Sequence, residues 1–161
     1  GYSKTKEDDL KGNDYASCLA LLKALKLHTL GLELFRTTEQ QHQILLDLGD
    51  TLLGANKAGE ALSIYMIASP VDNTKVMAAA RACWNWRVFF AHAFPSGIQT
   101  ENDPDEIESS KRQMLARDIA EELESSGREK REVYAEAARV RLDYGFDVYE
   151  AVETLLRGQW W

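Results

Sequence analysis

Proline is scarce in this chain of 161 residues, with only Pro70, Pro95 and Pro104 to interrupt regular structure. No stretch alternates apolar and polar residues for long enough to predict a β-strand. No apolar run approaches the roughly 18 residues that a membrane-spanning helix needs. These absences argue against a β-rich fold and a transmembrane segment, and the helical periodicity that remains predicts an all-α protein.

Positive charge is also in short supply. The net charge is −7 at pH 7, from 19 basic and 26 acidic residues. Such a balance argues against a general affinity for nucleic acid or for an anionic membrane. Cysteine is limited to Cys18 and Cys83. Both stand in an apolar helical pattern, so we predict two small buried side chains in a reducing compartment.

Apolar residues recur at helical spacing along most of the chain and predict about nine helices. Thr37 and Gln40 have the spacing of a capping box, and Asp147 and Glu150 have that of an acidic variant. The links between most helices are short, which makes consecutive helices antiparallel neighbours. We therefore predict an α-solenoid built from antiparallel helical hairpins.

The composition divides the chain into three parts. Residues 1–13 are polar and predict a disordered N-terminal segment. Residues 14–161 predict a single α-solenoid domain fragment that continues beyond the C-terminal end in a longer protein. Within it, residues 95–106 are acidic and contain two prolines. They predict an acidic loop, which is either a mobile insertion or a partner-binding segment.

One predicted hairpin, "LLDLGDTLLGANKAGEALSIYMIA", looks like a tetratricopeptide repeat (TPR). Gly49 and Ala61 stand where two helices would cross closely, and Tyr65 would fill the space toward the next hairpin. A degenerate second copy follows, with Arg141 where an aromatic residue is expected. The predicted repeat-packing residues are Leu45, Leu48, Gly49, Leu52, Ala61, Tyr65, Ala68, Ala137, Ala138 and Ala151.

The sequence offers no pattern that predicts catalysis. His28, His42 and His92 are scattered, without the spacing of a metal site. No glycine-rich phosphate-binding loop and no nucleophile–base pair is visible. We therefore predict a protein that is not an enzyme, with no catalytic, cofactor-binding or metal-binding residues.

Tryptophans are the candidates for partner contact, because buried aromatic residues often anchor interfaces. Trp84 and Trp86 would serve if exposed, and would otherwise pack between repeats. Trp160 and Trp161 close the chain. They predict either the cut edge of a longer solenoid or a natural aromatic plug for a partner's groove.

A basic stretch, "GREKREVY", lies among acidic residues in the last third of the chain. Arg128, Lys130 and Arg131 are candidate RNA contacts. The alternative is ordinary ion pairing on helix surfaces, since the stretch lacks interleaved stacking aromatics.

Four segments occur in an order that resembles the α-helical C-terminal half of the Elongator complex protein 1 family. They are "KLHTLGLELF", "LLGANKAGEALSIYMIAS", "ARACWNW" and "YAEAARVRLDYGFDVYEAVETLLRGQWW". His28, Thr29 and Leu30 match the family's histidine-x-leucine core, although Leu27 and Gly31 depart from the flanking residues. The matches to the family's later tract are Ala137, Ala138, Asp147, Glu150, Ala151, Val152 and Trp161.

The resemblance implies a scaffold segment in the complex that modifies wobble uridine in tRNA. It implies other Elongator subunits as partners, namely the catalytic radical-SAM/acetyltransferase subunit and a propeller subunit, and a full-length protein that homodimerises. It implies a cytoplasmic location, with the nucleus as an alternative, and neither membrane binding nor direct tRNA contact by this segment. The alternatives are a scaffold of a vesicle-coat or intraflagellar-transport complex, and an RNA-binding helical-repeat module.

Overall fold

The structure is a computed structural model that describes residues 15–95, 106–126 and 130–159. Every regular element in these ranges is an α-helix, which confirms the predicted all-α class. The predicted disordered segment 1–13 lies outside the described residues, as does most of the predicted acidic loop. Pro95 forms part of a turn and Glu106 is the first residue of a helix, while the acidic loop between them stays a prediction.

The described part of the chain contains nine helices, and we number them in chain order. The first, α1, covers residues 15–24. The others are α2 His28–Leu34, α3 Thr38–Gly54, α4 Ala58–Ile67, α5 Asn73–Ala82, α6 Trp86–Ala93, α7 Glu106–Ser125, α8 Lys130–Asp143 and α9 Val148–Arg157.

Two helix starts carry the caps that their spacing predicts. Thr37 accepts a hydrogen bond from the amide of Gln40, whose side chain accepts one from the amide of Thr37 in return. This is a complete capping box and confirms that prediction. At α9, Asp147 accepts from the amide of Glu150 at 3.0 Å, which is the first of the two hydrogen bonds of a capping box.

One type of turn closes α1, α3 and α5. A residue with positive φ follows the helix, and the next amide donates back to a carbonyl five residues earlier, which is the Schellman motif. The residues with positive φ are Lys26, Asn56 and Trp84. The three hydrogen bonds join Leu27 to Leu22, Lys57 to Leu52 and Asn85 to Ala80, from amide to carbonyl.

The turn that follows α8 contains one residue more than the other three turns. Phe146 has the positive φ, and the amide of Asp147 donates to the carbonyl of Arg141, six residues earlier. In all four turns the residue with positive φ stands two places before the first residue of the next helix. This compact geometry explains the short links that the sequence predicts.

The chain divides into two compact units, Gly1–Asn85 and Trp86–Trp161. In the first unit, α2 packs on α3, α3 on α4 and α4 on α5. In the second, α7 packs on α8 and α8 on α9. Each unit therefore contains the stacked helical hairpins that the sequence predicts, while the single domain over residues 14–161 stays a prediction.

Each unit has its own apolar core. Ile44, Tyr65 and Val76 are fully buried in the first unit, and Phe90 and Val140 in the second. The two cysteines do not belong to these cores. Cys18 is half-buried and Cys83 is exposed, so the prediction that both are buried was wrong. Since α5 ends at Ala82, Cys83 falls in the turn that follows the helix.

Candidate protein-interaction site

Two helices of the first unit approach closely at Gly49 on α3 and Tyr65 on α4. A Cβ atom at Gly49 would come within 2.7 Å of Cδ1 and 2.8 Å of Cζ of the tyrosine ring. Real Cβ atoms do not approach other atoms so closely, so the ring occupies the space that any larger residue at this position would need. The absence of a side chain at Gly49 is therefore what lets α3 and α4 pack.

A polar network holds the same tyrosine from its other end. The Tyr65 hydroxyl donates to Oδ1 of Asp50 at 2.5 Å, and Nζ of Lys75 on α5 donates to the same oxygen at 2.7 Å. Burial alone would raise the pKa of Asp50, but the hydrogen bonds from Lys75 and Tyr65 outweigh it and hold that pKa below its usual value. One carboxylate thus links three consecutive helices.

The predicted repeat-packing residues differ in burial. Ala61, Tyr65, Ala68, Ala137, Ala138, Ala151 and Gly49 are buried. Leu45, Leu48 and Leu52 are only half-buried. The buried positions of α3 are Ile44 and Gly49, and at 100° per residue the three leucines lie between them on the same face of the helix.

Trp86 is a core residue, which is the alternative that the sequence left open for it. Its side chain is 4% exposed, and its ring lies edge-on to Phe89 with centroids 6.0 Å apart. Its Nε1 donates to Oε2 of Glu136 on α8 at 3.2 Å. Trp84 is half-buried.

Most of the remaining candidate contacts fall outside the described residues. Trp160, Trp161 and Arg128 are among these, and Lys130 is described only as the first residue of α8. Arg131 is exposed on α8 and has an interaction partner. The RNA contacts and the contacts by the terminal tryptophans therefore stay predictions.

Sequence reasoning missed a buried ionic network in the second unit. Arg141 is 6% exposed, and its Nη2 donates to Oε1 of Glu124 on α7 at 3.0 Å. The hydroxyl of buried Thr154 on α9 and the guanidinium of Arg157 donate to the same carboxylate. The signal that could have found it was Arg141 itself, a cation at a position where the repeat pattern expects a large apolar residue.

Two exposed apolar stripes are the best candidates for protein contact. In the first unit, α1, α2 and the link between them expose a set of leucines between 42% and 60%. In the second, α9 exposes four apolar residues along one face, between 46% and 72%. Large exposed apolar residues in a row mark interaction surfaces more often than scattered ones do. The leucine stripe consists of Leu21, Leu25, Leu27, Leu30 and Leu34, and the α9 stripe of Val148, Tyr149, Val152 and Leu156.

The histidines do not come together. His28 is 4% exposed and its Nε2 has no hydrogen-bond partner in the described part of the chain. Burial, the largest cause, lowers the pKa of His28. Nε2 of His42 lies 2.9 Å from the carbonyl of Pro70. Among the described residues, no group of three or more histidine, cysteine or acidic side chains is placed to hold a metal ion.

The class of the protein follows from its helices. In the described ranges, none of them combines the length and the apolar character needed to cross a bilayer. Stacked hairpins, a glycine–aromatic crossing and exposed apolar stripes together define a helical-repeat domain of the TPR-like class, which in general is a scaffold and not a catalyst.

Comparison with protein families identifies the particular repeat. The model of the ELP1 TPR domain matches residues 12–161, so the chain belongs to the ELP1 TPR domain family. The match confirms the resemblance to Elongator complex protein 1 and supports a scaffold role within an Elongator subunit, with other Elongator subunits as partners. Comparisons with curated proteins and with solved structures return no significant match.

Proposed function

We propose that this chain is a non-catalytic scaffold segment that seats other Elongator subunits and so supports assembly of the machinery that modifies wobble uridine in tRNA. The observation that carries the proposal is the family match over residues 12–161. The described structure suits a scaffold role, because it consists of packed helical hairpins with exposed apolar stripes. The chemistry itself would then belong to a separate subunit with radical-SAM and acetyltransferase activity.

The surfaces available for seating partners are the leucine stripe and the α9 stripe. Buried residues on the same helices hold both stripes in place. Gly31 on α2 lies against Leu22 and Ile44, where a Cβ would come within 3.3 Å and 3.5 Å of their side chains. On α9, Ala151 and Thr154 are buried, whereas the residues of the stripe are exposed. Rigid helices that present apolar residues are suited to bind helices or loops of a partner.

The partners in this proposal are the catalytic subunit and a propeller subunit, and the full-length protein would homodimerise. The cytoplasm is the proposed location, with the nucleus as the alternative, because tRNA is the substrate that the family implies. Direct tRNA binding by this segment is not part of the proposal. The net charge of −7 supports that choice, since it disfavours a long phosphate backbone.

The proposal is tested by mixing the purified chain with each recombinant Elongator subunit and following co-elution in gel filtration. We expect a complex with the catalytic or the propeller subunit. The Leu30→Asp and Val152→Asp variants place a charge in one stripe each, and Ser63→Asp, on an exposed part of α4, is their control. Loss of the complex in one stripe variant, with the control unaffected, would locate the contact. Failure of the unmodified chain to bind any subunit would contradict the proposal.

A parallel measurement addresses the RNA-binding alternative. Fluorescence anisotropy of labelled tRNA is followed while the chain is added at low and at moderate salt. We expect no saturable binding. Tight binding that weakens steeply with salt and is lost in Arg131→Glu would instead favour an RNA-binding module.

A further inference from the structure

A polar cavity lies in the second unit between α7, α8 and the turn that leads into α9. Its volume is about 380 Å³, which is near the lower end of the range of roughly 300–1,000 Å³ for ligand pockets. Ser110, Gln113, Met114 and Arg117 line it from α7, and Arg141, Gly145 and Asp147 line it from the other side. No residue of the apolar stripes takes part in it, so the cavity is separate from the proposed partner surfaces.

The α7 side of the cavity carries hydrogen-bonding groups that nothing in the described chain uses. Ser110, Gln113 and Arg117 are spaced three and four residues apart, so they lie along one face of the helix. All three are exposed. In the described ranges none of their side chains has a hydrogen-bond or ion-pair partner.

On the opposite side of the cavity, one hydrogen-bond donor of Arg141 is buried without a partner among the described residues. Its Nε is buried and makes no hydrogen bond within the described part of the chain, while its Nη2 donates to Glu124. A buried donor without a partner is destabilising, because it has lost its hydrogen bonds to water and has formed none to the protein. Arg141 also lines the cavity, so an acceptor that enters the cavity and displaces the atoms that cover this nitrogen would relieve that loss.

The charges at the cavity favour an anion. Its lining holds two guanidinium groups, of Arg117 and Arg141, against one carboxylate, of Asp147. Asp147 is already engaged, because it caps α9 by accepting from the amide of Glu150. Glu124 is shared between Arg141 and Arg157, and Arg157 also lies 3.9 Å from Glu150, so the excess of positive charge at the cavity comes from Arg117.

We propose that this cavity binds the carboxylate side chain of an acidic segment in a partner protein, with Arg117 and Arg141 as its donors. The proposal rests on the proposed function, which requires a protein partner. Met114 would contact the methylene groups of such a side chain. A nucleic acid is less well suited, because a run of phosphates is held by several cations, whereas the cavity lining holds two guanidinium groups.

The test uses the whole 161-residue chain and the arginine Nε–H signals in nitrogen–proton NMR spectra. The probe is a blocked peptide with two adjacent glutamates, compared with its glutamine counterpart. The variant is Arg117→Gln, which removes a charge from an exposed side chain and leaves the core intact. Lys111→Gln is the matched control, because Lys111 is exposed on the same helix and does not line the cavity.

We expect the glutamate peptide, and not the glutamine peptide, to shift the Nε–H signals of Arg117 and Arg141. Arg117→Gln should weaken the affinity by about three- to tenfold, the effect of one partly exposed charge-assisted hydrogen bond. Lys111→Gln should leave the affinity unchanged. No shift at Arg141, equal shifts with the glutamine peptide, or an equal loss in both variants would overturn the proposal.

Two further arms identify the source of the anion. Inorganic phosphate and a uridine oligonucleotide are titrated in the same way, and tighter binding of the oligonucleotide at the Arg141 signal would overturn the assignment to a protein. If the peptide fails while Elongator subunits still co-elute with the chain, the cavity assignment alone is wrong. If the peptide binds but no subunit does, the proposed function is the part that fails.

Discussion

The ring of Tyr65 occupies the space that a side chain at Gly49 would need, and its hydroxyl donates to Asp50, the next residue along α3. Gly49 and Asp50 thus both position Tyr65. Gly49 leaves space for the ring, and Asp50 holds the hydroxyl. This arrangement determines how closely α3 and α4 approach. This glycine–aromatic crossing supports the TPR-like class of the first unit more strongly than the half-buried leucines of α3 do.

Gly49→Ala should destabilise the chain by about 1–2 kcal/mol. Overpacking against the Tyr65 ring costs roughly 1–3 kcal/mol, while the better helix propensity of alanine returns up to about 1 kcal/mol. Gly54→Ala is the matched control, since it lies in the same helix and a Cβ there meets nothing within 4 Å. We expect Gly54→Ala to be neutral or slightly stabilising. Thermal unfolding followed by circular dichroism measures both, and an equal effect of the two variants would refute the close-packing argument.

The Asp50 network predicts a loss of stability in acid. Because the folded-state pKa of Asp50 lies below its ordinary value of 3.8, the unfolded chain takes up this proton first. The stabilisation is therefore present above pH 3.8 and is lost as the pH falls through the folded-state pKa. Urea unfolding from neutral pH into the acid range should show a smaller decline for Asp50→Asn than for the unmodified chain. Asp143→Asn, an exposed aspartate of the second unit, is the control, and a decline equally reduced in both variants would count against the network.

Glu124→Gln should destabilise the chain by about 2 kcal/mol. The substitution leaves the buried guanidinium of Arg141 without its counter-charge, which costs about 3–5 kcal/mol for a fully buried pair and less here because Glu124 keeps some exposure. Glu121→Gln, one turn earlier on the same helix and exposed, should change little. Urea denaturation gives both values. A Glu124→Gln midpoint equal to that of Glu121→Gln would mean that the network contributes nothing to stability.

Trp86→Phe should cost about 1 kcal/mol, because it keeps an aromatic ring in the core and removes the hydrogen bond to Glu136. Trp84→Phe should have a smaller effect, since Trp84 is half-buried and its backbone turn with φ of 58° is retained. The comparison is made by thermal unfolding of the two variants in one buffer. A larger loss from Trp84→Phe would reverse the assignment of Trp86 as the core tryptophan.

Much of the local structure could be predicted from the sequence, because its causes are local. The capping box of Thr37 and Gln40 depends on residues three apart, and the link between α3 and α4 follows from Asn56, a residue type that tolerates positive φ. Gly49, Ala61 and Tyr65 were found because the repeat pattern encodes their spacing.

The rest depends on helix rotation and on pairs far apart in the chain. Trp86 meets Glu136 across 50 residues, and Arg141 meets Glu124 across 17. Spacing alone does not determine which side of a helix faces its neighbour once both sides carry apolar residues. Leu45, Leu48 and Leu52 share a face with buried Ile44 and Gly49, and their spacing does not show that each of them keeps part of its surface exposed. The cavity at Arg141 is formed only when α7, α8 and the following turn come together.

The most direct test of the central claim is affinity purification of the tagged chain from cytosol, with quantitative mass spectrometry of the recovered proteins. A Gly49→Leu variant, in which the α3–α4 packing is disrupted, serves as the control for non-specific capture. The account predicts that the radical-SAM catalytic subunit and a propeller subunit of Elongator are enriched over this control. Enrichment of vesicle-coat or intraflagellar-transport proteins, with no Elongator subunit, would contradict it.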